Sequence, residues 1–297
     1  MRSESTLEAP VIEFRNVSLS FDQKLALTNV SFELRRGQMI LVTGASESGK
    51  SVLVRLAAGL LRPDDGQILI EGREIQNIDE EALLQIRARS MGMVFQDQSL
   101  FTALSVFDNA AYRLDERGWS EELIEPAVLE TLNFVGLQND TEKIPEELSV
   151  GMRRRLEFAR AVIGWPPIML FDEPTAGLDP INARMILDLM VRARDEHGIS
   201  ALYVTKEMHE IPYLGARWAA TEGTGNPVTC GAAAKAGNET KVLLLDHGKM
   251  AFLGSVTEFQ SSNLPAVTLM TRPESGARFT TSPVADPWSR KRKRRFL

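Results

Sequence analysis

The chain has 297 residues, of which 43% are hydrophobic and 25% are charged, a balance typical of a folded protein with a substantial core. The formal net charge is −6, but six consecutive bases stand at residues 290–295, and without them 28 bases face 40 acids, a net charge of −12. An acidic body of this kind argues against nucleic acid as the partner of the main surface.

Cysteine, histidine and hydropathy set further limits. Cys230 is the only cysteine, so no intrachain disulfide is expected and a reducing compartment is indicated. The three histidines are scattered along the chain, which argues against a structural zinc site. The first ten residues are polar, unlike a signal peptide, and no apolar run approaches the ~18 residues of a spanning helix, so any membrane role is expected to be peripheral.

The first third of the chain carries strand patterns around one buried helix. Apolar and polar residues alternate over 11–42, which predicts a set of antiparallel strands ending with a strand at 39–43. A buried helix is predicted at 51–60, followed by strands at 67–71 and 91–95.

The rest of the chain is predicted to contain first a helical segment and then alternating helices and strands. Strand patterns disappear over 97–148, where helical spacing predicts a helix at 121–135 that ends at Gly136. Helices near 151–163 and 182–196 then alternate with strands at 168–171 and 201–205, which predicts an α/β fold with a mostly parallel sheet covered on both faces. Residues 218–240, rich in small and polar residues, are predicted to be a flexible insert.

Residues 44–51 read G-A-S-E-S-G-K-S between a predicted strand and an apolar helix, which is the setting of a phosphate-binding loop. The glycines let backbone N–H groups approach phosphate oxygens, and the helix N-terminus adds positive potential. Lys50 is expected to reach the β- and γ-phosphates, and the Ser51 hydroxyl to ligate Mg²⁺. The candidate nucleotide-binding residues of this segment are Gly44, Ala45, Ser46, Glu47, Ser48, Gly49, Lys50, Ser51 and Val52.

Two carboxylates follow the strand predicted at 168–171. Asp172 is expected at the sheet edge, where it can hold the Mg²⁺ shell, and Glu173 is expected beside the γ-phosphate as the catalytic group that polarises an attacking water. Two solvated acids in a turn are the ordinary alternative. The order and separation of the two motifs favour a phosphate-loop ATPase.

Residues 148–161 read L-S-V-G-M-R-R-R-L-E-F-A-R-A, which resembles the signature motif of ABC-type ATPases. The resemblance extends over roughly 11–259 and implies a RecA-like, mostly parallel sheet, an antiparallel β subdomain and an inserted helical subdomain. It also implies a transport-coupled ATPase that uses ATP and Mg²⁺. The residues that it adds to the site are Phe21 against adenine, Gln96 on Mg²⁺ and the attacking water, and Ser149, Gly151 and Asp179 at a dimer interface.

The same resemblance implies partners and a location. A second copy is expected in a head-to-tail dimer that sandwiches ATP, and an integral membrane permease is expected to contact the helical subdomain, with the chain peripheral on the cytoplasmic face of the inner membrane. The expected divisions are an N-terminal tail (1–10), a first core part (11–96), the helical subdomain (97–148), a second core part (149–271) and a C-terminal extension (272–297).

The residues after the phosphate loop, the segment after Gln96 and the Gly-Met pair of the signature are similar to Mla/Mce-type lipid-trafficking ATPases of bacterial envelopes. This similarity implies phospholipid or a related lipid as cargo. Two alternatives stay open: an ABC ATPase for another cargo, such as a lipoprotein or a solute, and a nucleotide-gated subunit with weak hydrolysis.

Two positions depart from the family pattern. Val150 stands where glycine is usual, and its bulk either weakens closure of the dimer or points away at little cost. Lys206 stands where relatives carry histidine; we count it as a catalytic residue because it can stabilise phosphate charge, although it cannot hold the two-sided geometry of histidine. Retained ATP binding with slowed hydrolysis is the resulting hypothesis, and His209 is expected to be a solvated side chain.

The basic run near the C-terminus has three open interpretations. It could contact anionic lipid headgroups, at about 1 kcal/mol per base near a membrane surface. It could instead reach the second subunit or the permease, or remain a solvated tail. The residues concerned are Arg290, Lys291, Arg292, Lys293, Arg294 and Arg295.

Overall fold

The computed structural model describes residues 9–22, 24–95, 100–219, 228–230 and 239–262. Gln96 and the basic run at 290–295 lie outside this part of the chain. The strands are β1 (Ile12–Phe21), β2 (Lys24–Leu34), β3 (Met39–Gly44), β4 (Asp65–Ile70), β5 (Arg73–Glu74), β6 (Met91–Val94), β7 (Ile168–Asp172), β8 (Ser200–Val204), β9 (Arg217–Ala219), β10 (Val228–Cys230), β11 (Thr240–Asp246) and β12 (Lys249–Ser255).

The helices lie mainly between the strands of the larger sheet. They are α1 (Lys50–Ala57), α2 (Glu80–Ser90), α3 (Val106–Glu116), α4 (Glu121–Val135), α5 (Val150–Val162), α6 (Pro180–His197), α7 (Glu210–Gly215) and α8 (Val256–Ser261), with a short 3₁₀ turn at Pro145–Glu147. No helix among the described residues is both long and apolar enough to cross a membrane.

Two larger sheets organise the strands. One is antiparallel, with strand order β2-β1-β4-β5, and the other has six strands in the order β12-β11-β3-β8-β7-β6. In the six-stranded sheet only β12 runs antiparallel to its neighbour. The expected α/β fold, with a mostly parallel core and a separate antiparallel subdomain, is confirmed.

The prediction that β3 closes the antiparallel set is wrong. It pairs in parallel with β8 on one side and β11 on the other. All six of its residues are buried, and its side chains alternate between two cores: Met39 and Leu41 face one, Ile40 and Val42 the other. A strand that is covered on both faces has a continuous run of apolar residues. Periodicity alone does not show whether such a run belongs to the same sheet as the alternating strands before it.

The segment between β6 and β7 is helical, as predicted. Helix α4 ends at Gly136, which adopts the left-handed conformation with φ 71° that terminates many helices. Its buried face, which includes Val128 and Leu132, shares a core with α3 and α5. This helical layer stands beside the large sheet rather than within it.

The insert predicted at 218–240 contains more regular structure than expected. β9 and β10 pair antiparallel, with Arg217 opposite Cys230, and β11 begins at Thr240. Backbone pairing does not require large apolar side chains, so a composition poor in Leu, Ile and Phe does not exclude it. Residues 220–227 and 231–238 lie outside the described part.

Candidate functional site

The phosphate loop joins β3 to α1 and requires its glycines. Gly44 has φ 151° and a Cβ there would lie 2.2 Å from the backbone oxygen of Leu245; Gly49 has φ 101° and a Cβ would lie 2.5 Å from that of Ala26. Helix α1 begins directly after Gly49, without a side-chain cap or an acidic residue in its first turn. Its free N–H groups are therefore available to an anion.

Lys50 is folded into this loop. Its Nζ donates to the backbone oxygens of Gly44 at 2.8 Å and Ala45 at 2.7 Å, and the side chain is buried. Burial lowers the pKa of Lys50, while the negative charges of Glu173 and Asp172 raise it. The lysine side chain thus lies on the inner side of the loop and bridges two of its backbone oxygens.

A phosphate group fits this loop on two grounds. Ser48 Oγ is buried and has no hydrogen-bond partner within the described residues, so a polar atom stands unsatisfied at the centre of the loop. The glycine positions leave the backbone bare where any Cβ would collide with neighbouring atoms. Bare N–H groups, an unsatisfied hydroxyl and a buried ammonium together match the oxygens of a phosphate chain.

The expected Mg²⁺ ligands Ser51 and Asp172 are adjacent. Ser51 Oγ donates to Asp172 Oδ1 at 3.1 Å. Burial raises the pKa of Asp172, and the hydrogen bond from Ser51 lowers it in part. One hydroxyl and one carboxylate form a small oxygen donor set, of the kind that holds Mg²⁺ together with substrate phosphates and water. The predicted third ligand, Gln96, lies outside the described residues.

Glu173 follows Asp172 in an uncommon backbone conformation, with φ 51°. Its N–H donates to the Val204 backbone oxygen at 3.1 Å, which ties it to the end of β8. Lys206 Nζ lies 2.8 Å from Glu173 Oε1 and 3.0 Å from Oε2. The two catalytic residues predicted here therefore form a direct ion pair, in which the lysine reaches both oxygens of the carboxylate.

The phosphate loop, Glu173 and Lys206 line one pocket of about 350 Å³. The loop from Ser46 to Val52 forms one wall, Glu173 and Lys206 form the inner end, and the start of β2 together with Phe21 forms the opposite rim. Phe21 is 46% exposed, an open ring beside a phosphate site. The predicted nucleotide-binding residues 46–52 and Phe21 thus come together, with Gly44 and Ala45 directly behind Lys50.

Two pocket features were not predicted. Leu25, 61% exposed, adds a second apolar side chain to the rim on which Phe21 lies. Lys24 pairs with Glu47 at 2.8 Å across the mouth, and Glu47 itself adopts φ 61°. The alternation in β2 predicts one buried and one exposed face, but not that the exposed face meets the phosphate loop.

A buried carboxylate beneath the pocket also escaped the sequence analysis. Glu210 accepts hydrogen bonds from Thr175 Oγ1 and Thr205 Oγ1, each at 2.6 Å, and from the Tyr203 hydroxyl. Burial raises the pKa of Glu210, and these hydroxyl donors lower it in part. No sequence motif predicts this cluster, because its members belong to separate elements. His209, next to it, lies 3.5 Å from Glu207 and is partly exposed rather than fully solvated.

The signature residues lie apart from this pocket. Ser149 caps α5 by accepting from the Met152 N–H at 3.2 Å, and Asp179 caps α6 by accepting from two N–H groups at 3.0 Å. Hydrogen bonds from the Asn182 side chain and backbone lower the pKa of Asp179. A Cβ at Gly151 would lie 1.9 Å from Asn182 Oδ1, so the two helix starts are in close contact.

Comparison with known proteins agrees with this geometry. A family model described as ABC transporter matches residues 27–176. The methionine import ATP-binding protein MetN of Carboxydothermus hydrogenoformans is 37% identical over 204 residues, 68% of this chain and 60% of that protein. The phospholipid transport ATP-binding protein MlaF of Haemophilus influenzae is 35% identical over 202 residues, 68% of this chain and 76% of that protein.

Solved structures show the same fold. The dimeric structure of MJ0796, a bacterial ABC transporter cassette, matches with a TM-score of 0.68 and 25% identity, covering 82% of this chain and 98% of that one. The chain spans about three fifths of the length of the MetN protein that it matches.

Proposed function

The chain belongs to the ABC transporter family of ATP-binding proteins, and from that premise we propose that it binds ATP with Mg²⁺ and hydrolyses it to drive a membrane transporter. The single observation that carries the proposal is the pocket lined by the phosphate loop and Glu173, in which Ser51 of the loop is hydrogen-bonded to Asp172. Each of these groups meets a separate demand of phosphoryl transfer to water.

The residues of the pocket have separate roles in binding and hydrolysing ATP. The loop N–H groups and Lys50 hold the phosphate chain, and the rim at Phe21 supports the base by stacking. Ser51 and Asp172 would hold Mg²⁺, which neutralises phosphate charge when bound. Glu173 accepts a proton from the attacking water, whose oxygen bonds to the terminal phosphorus as the bond to the ADP oxygen breaks.

ATP hydrolysis by the purified chain and its Glu173→Gln variant tests the proposal. The amide cannot accept the proton, so we expect hydrolysis to fall by about two orders of magnitude or more while ATP binding persists. Normal hydrolysis by Glu173→Gln would remove Glu173 from the role of base.

The second copy and the permease complete the proposed assembly. Ser149, Gly151 and Asp179 lie outside the pocket of their own chain, which supports their use at the pocket of a second copy in a head-to-tail dimer. The free N–H groups at the start of α5 would face the terminal phosphate there. The helical subdomain, residues 97–148, is the proposed contact with a permease on the cytoplasmic face of the inner membrane.

Slowed hydrolysis remains part of the proposal. Lys206 supports it, because an ammonium bound to both oxygens of Glu173 competes with the water for the same lone pairs. We expect steady-state hydrolysis to rise in Lys206→His, measured on the chain together with its membrane partner. Unchanged hydrolysis on restoring histidine would contradict this part of the proposal.

Lipid is the proposed cargo. The similarity to the phospholipid-transport protein MlaF spans three quarters of that protein, 76%, whereas the similarity to MetN spans 60%. Methionine or another small solute is the second candidate, favoured by the 37% identity to MetN. Purification of the whole complex, with mass spectrometry of its subunits and of extracted lipids, separates the two: co-purified phospholipid supports the first, and a lipid-free complex with a solute-binding partner supports the second.

The basic run at 290–295 is proposed to attach the chain to anionic headgroups. Its sequence of six bases beside an acidic body carries this proposal. Deletion of residues 289–297 is expected to weaken retention on anionic vesicles at low salt. Equal retention with and without these residues would leave the run a solvated tail.

A further inference from the structure

We propose that Glu47 and Lys24 form a ribose-binding subsite at the mouth of the pocket, which selects ribonucleotides over 2′-deoxyribonucleotides. The two side chains form an ion pair at 2.8 Å, and both line the pocket. The inference rests on the proposed ATPase function and adds to it a specificity for the sugar of the nucleotide. It gives a role to the acidic residue of the phosphate loop, whose charge is otherwise unfavourable beside phosphate.

The Lys24–Glu47 pair spans the gap that a ribose has to cross. Lys24 lies opposite Phe21 where β1 pairs with β2, so it belongs to the rim on which the base is proposed to stack. Glu47 belongs to the phosphate loop, across the mouth of the pocket. In a nucleotide the ribose links the base to the first phosphate. A base at Phe21 and phosphates in the loop therefore place the ribose beside this pair.

Glu47 has a carboxylate oxygen available for a sugar hydroxyl. Among the described residues, the lining of the pocket contains two carboxylates, Glu47 and Glu173. Both oxygens of Glu173 lie within 3.0 Å of Lys206 Nζ at the inner end. Lys24 donates to Oε2 of Glu47, and no donor of the described part of the chain reaches Oε1. An ionised carboxylate accepts hydrogen bonds and donates none, so this oxygen matches a hydroxyl group.

The surroundings of Glu47 keep its side chain ionised and its backbone in a defined conformation. The hydrogen bond from Lys24 and the positive charge of the ammonium lower the pKa of Glu47. The backbone of Glu47 lies in the left-handed region, with φ 61°, which few residues other than glycine adopt. The Lys24 ammonium has two further N–H donors. The subsite thus offers an acceptor and donors to the ribose hydroxyls, which can both donate and accept.

This arrangement predicts discrimination at the 2′ position of the sugar. A carboxylate that binds the ribose 2′-hydroxyl is the means by which dinucleotide-binding proteins recognise ribose. A 2′-deoxyribose leaves Oε1 of Glu47 without that donor. Water can take the place of the missing hydroxyl, because the Glu47 side chain is 79% exposed. We therefore expect a preference of about fivefold for the ribonucleotide rather than strict exclusion of the deoxyribonucleotide.

The affinities of ADP and 2′-deoxy-ADP test the subsite. They are measured by calorimetry for wild type, Glu47→Gly and Lys24→Met. Wild type should bind ADP about fivefold more tightly than 2′-deoxy-ADP, and Glu47→Gly should bind the two equally. Glycine adopts φ 61° readily, so this variant should keep the conformation of the loop. Lys24→Met should reduce the preference, because nothing then holds the carboxylate at the mouth. The wild-type preference in either variant would overturn the subsite.

Glu33→Gln is the matched control. Glu33 pairs with Arg35 at 2.8 Å and is 45% exposed, but it does not line the pocket. Its substitution removes one negative charge, as Glu47→Gly does, and should leave the ratio of the two affinities unchanged. An equal change of this ratio in Glu33→Gln would make the effect one of net charge and overturn the subsite.

Two further outcomes separate the subsite from the proposed function. If Glu47→Gly raises both affinities without changing their ratio, Glu47 acts only by repelling phosphate, and the ribose subsite is overturned. Wild type that binds neither nucleotide would overturn the ATPase proposal itself. Wild type that binds ADP and 2′-deoxy-ADP equally would overturn only the subsite.

Discussion

Thr175 Oγ1 donates a hydrogen bond to Glu210 Oε1 at 2.6 Å and thereby joins the segment after β7 to the segment after β8. Thr205 donates to the other oxygen of the same carboxylate at 2.6 Å. One buried side chain therefore sets the spacing between the segment that carries Glu173 and the segment that carries Lys206. Glu210 does not line the pocket, so it is a positioning residue.

Removal of this carboxylate should cost stability and activity together. Glu210→Ala leaves three buried hydroxyl groups without their acceptor, which we expect to lower the free energy of unfolding by about 3 kcal/mol. Hydrolysis should fall through kcat more than through KM, because the displaced group is Glu173 rather than the phosphate loop. Urea unfolding and steady-state kinetics measure the two effects. Glu210→Gln, which keeps the shape and an acceptor oxygen, should restore most of the kcat; equal kcat for both variants would contradict a positioning role.

The way in which the free energy of unfolding changes with pH should also depend on Glu210. Burial raises the pKa of Glu210 above the ordinary value of 4.5. The folded state therefore keeps this proton to higher pH than the unfolded state does, so the group's contribution to stability falls as pH rises from the ordinary pKa through the raised one. Glu210→Gln should flatten this fall, measured by urea unfolding between about pH 4 and pH 8.

Two other carboxyl groups serve as an internal control for that experiment. Burial also raises the pKa of Asp172 and of Asp188. Both remain in the variant and in the wild type, so their contributions cancel in the difference between the two curves. A difference that does not change with pH would show that Glu210 keeps the same protonation state in the folded and unfolded chains.

Local signals predicted much of the fold. The helix at 121–135 and its end at Gly136 followed from spacing and one glycine, and β7 begins and α4 ends where the sequence places them. Helix α2 was not predicted from the sequence, because it buries only Leu83 and Ser90 and so shows little apolar periodicity. The sheet that contains β3 could not be assigned locally, since membership depends on partners more than 150 residues away.

The site residues, like the elements of the fold, were predicted where the signal is local and missed where it depends on distant contacts. The phosphate loop and Asp172–Glu173 were predicted because their chemistry is contained in short contiguous motifs. The distance between Lys206 and Glu173 was not, because it depends on how β7 and β8 pair, and the lysine proves to reach both oxygens of the carboxylate. Glu210 was missed because its hydrogen bond to Thr175 joins residues 35 positions apart in different segments. Leu25 was missed because the pocket that it borders is formed mainly by residues more than 20 positions away.

Gly49 offers a test of the loop geometry. A Cβ at this position would lie 2.5 Å from the Ala26 backbone oxygen, so Gly49→Ala should displace the loop and reduce ATP affinity by about 100-fold or more. Gly72→Ala is the control, since Gly72 also has a positive φ, 77°, but nothing lies within 4 Å of its Cβ position. It should cost only about 1 kcal/mol of stability and leave ATP affinity unchanged. Equal ATP affinities for the two variants, measured by calorimetry, would contradict the assigned role of the loop.

The rim of the pocket predicts how the base is held. Phe21 is 46% exposed beside the phosphate loop, and stacking of a base on an aromatic ring contributes roughly 1–3 kcal/mol. Phe21→Ala should therefore weaken ATP binding by about tenfold or more, while inorganic triphosphate binding stays unchanged. Phe21→Tyr keeps the ring and should restore the affinity. A loss that affects triphosphate as strongly as ATP would place Phe21 outside base recognition.

The two signature positions at the start of α5, Val150 and Gly151, differ in whether they require glycine. The backbone at Val150 is helical and its side chain is 49% exposed, so this position does not require glycine. At Gly151 a Cβ would lie 1.9 Å from Asn182 Oδ1, and Asn182 cannot turn away without losing its hydrogen bond to Asp179 at 2.5 Å. Gly151→Ala should therefore lower the free energy of unfolding by about 1–3 kcal/mol, and Val150→Gly by less than about 1 kcal/mol.

ATP-driven association should distinguish the same two variants. Gly151→Ala disturbs the contact between the starts of α5 and α6, where Ser149 and Asp179 cap their helices, and should prevent dimer formation by the Glu173→Gln background with ATP. Val150→Gly removes exposed bulk from the same surface and should leave that dimer intact or tighten it. Size-exclusion chromatography with light scattering measures both. A dimer that forms equally well with Gly151→Ala would show that this surface does not meet the second copy.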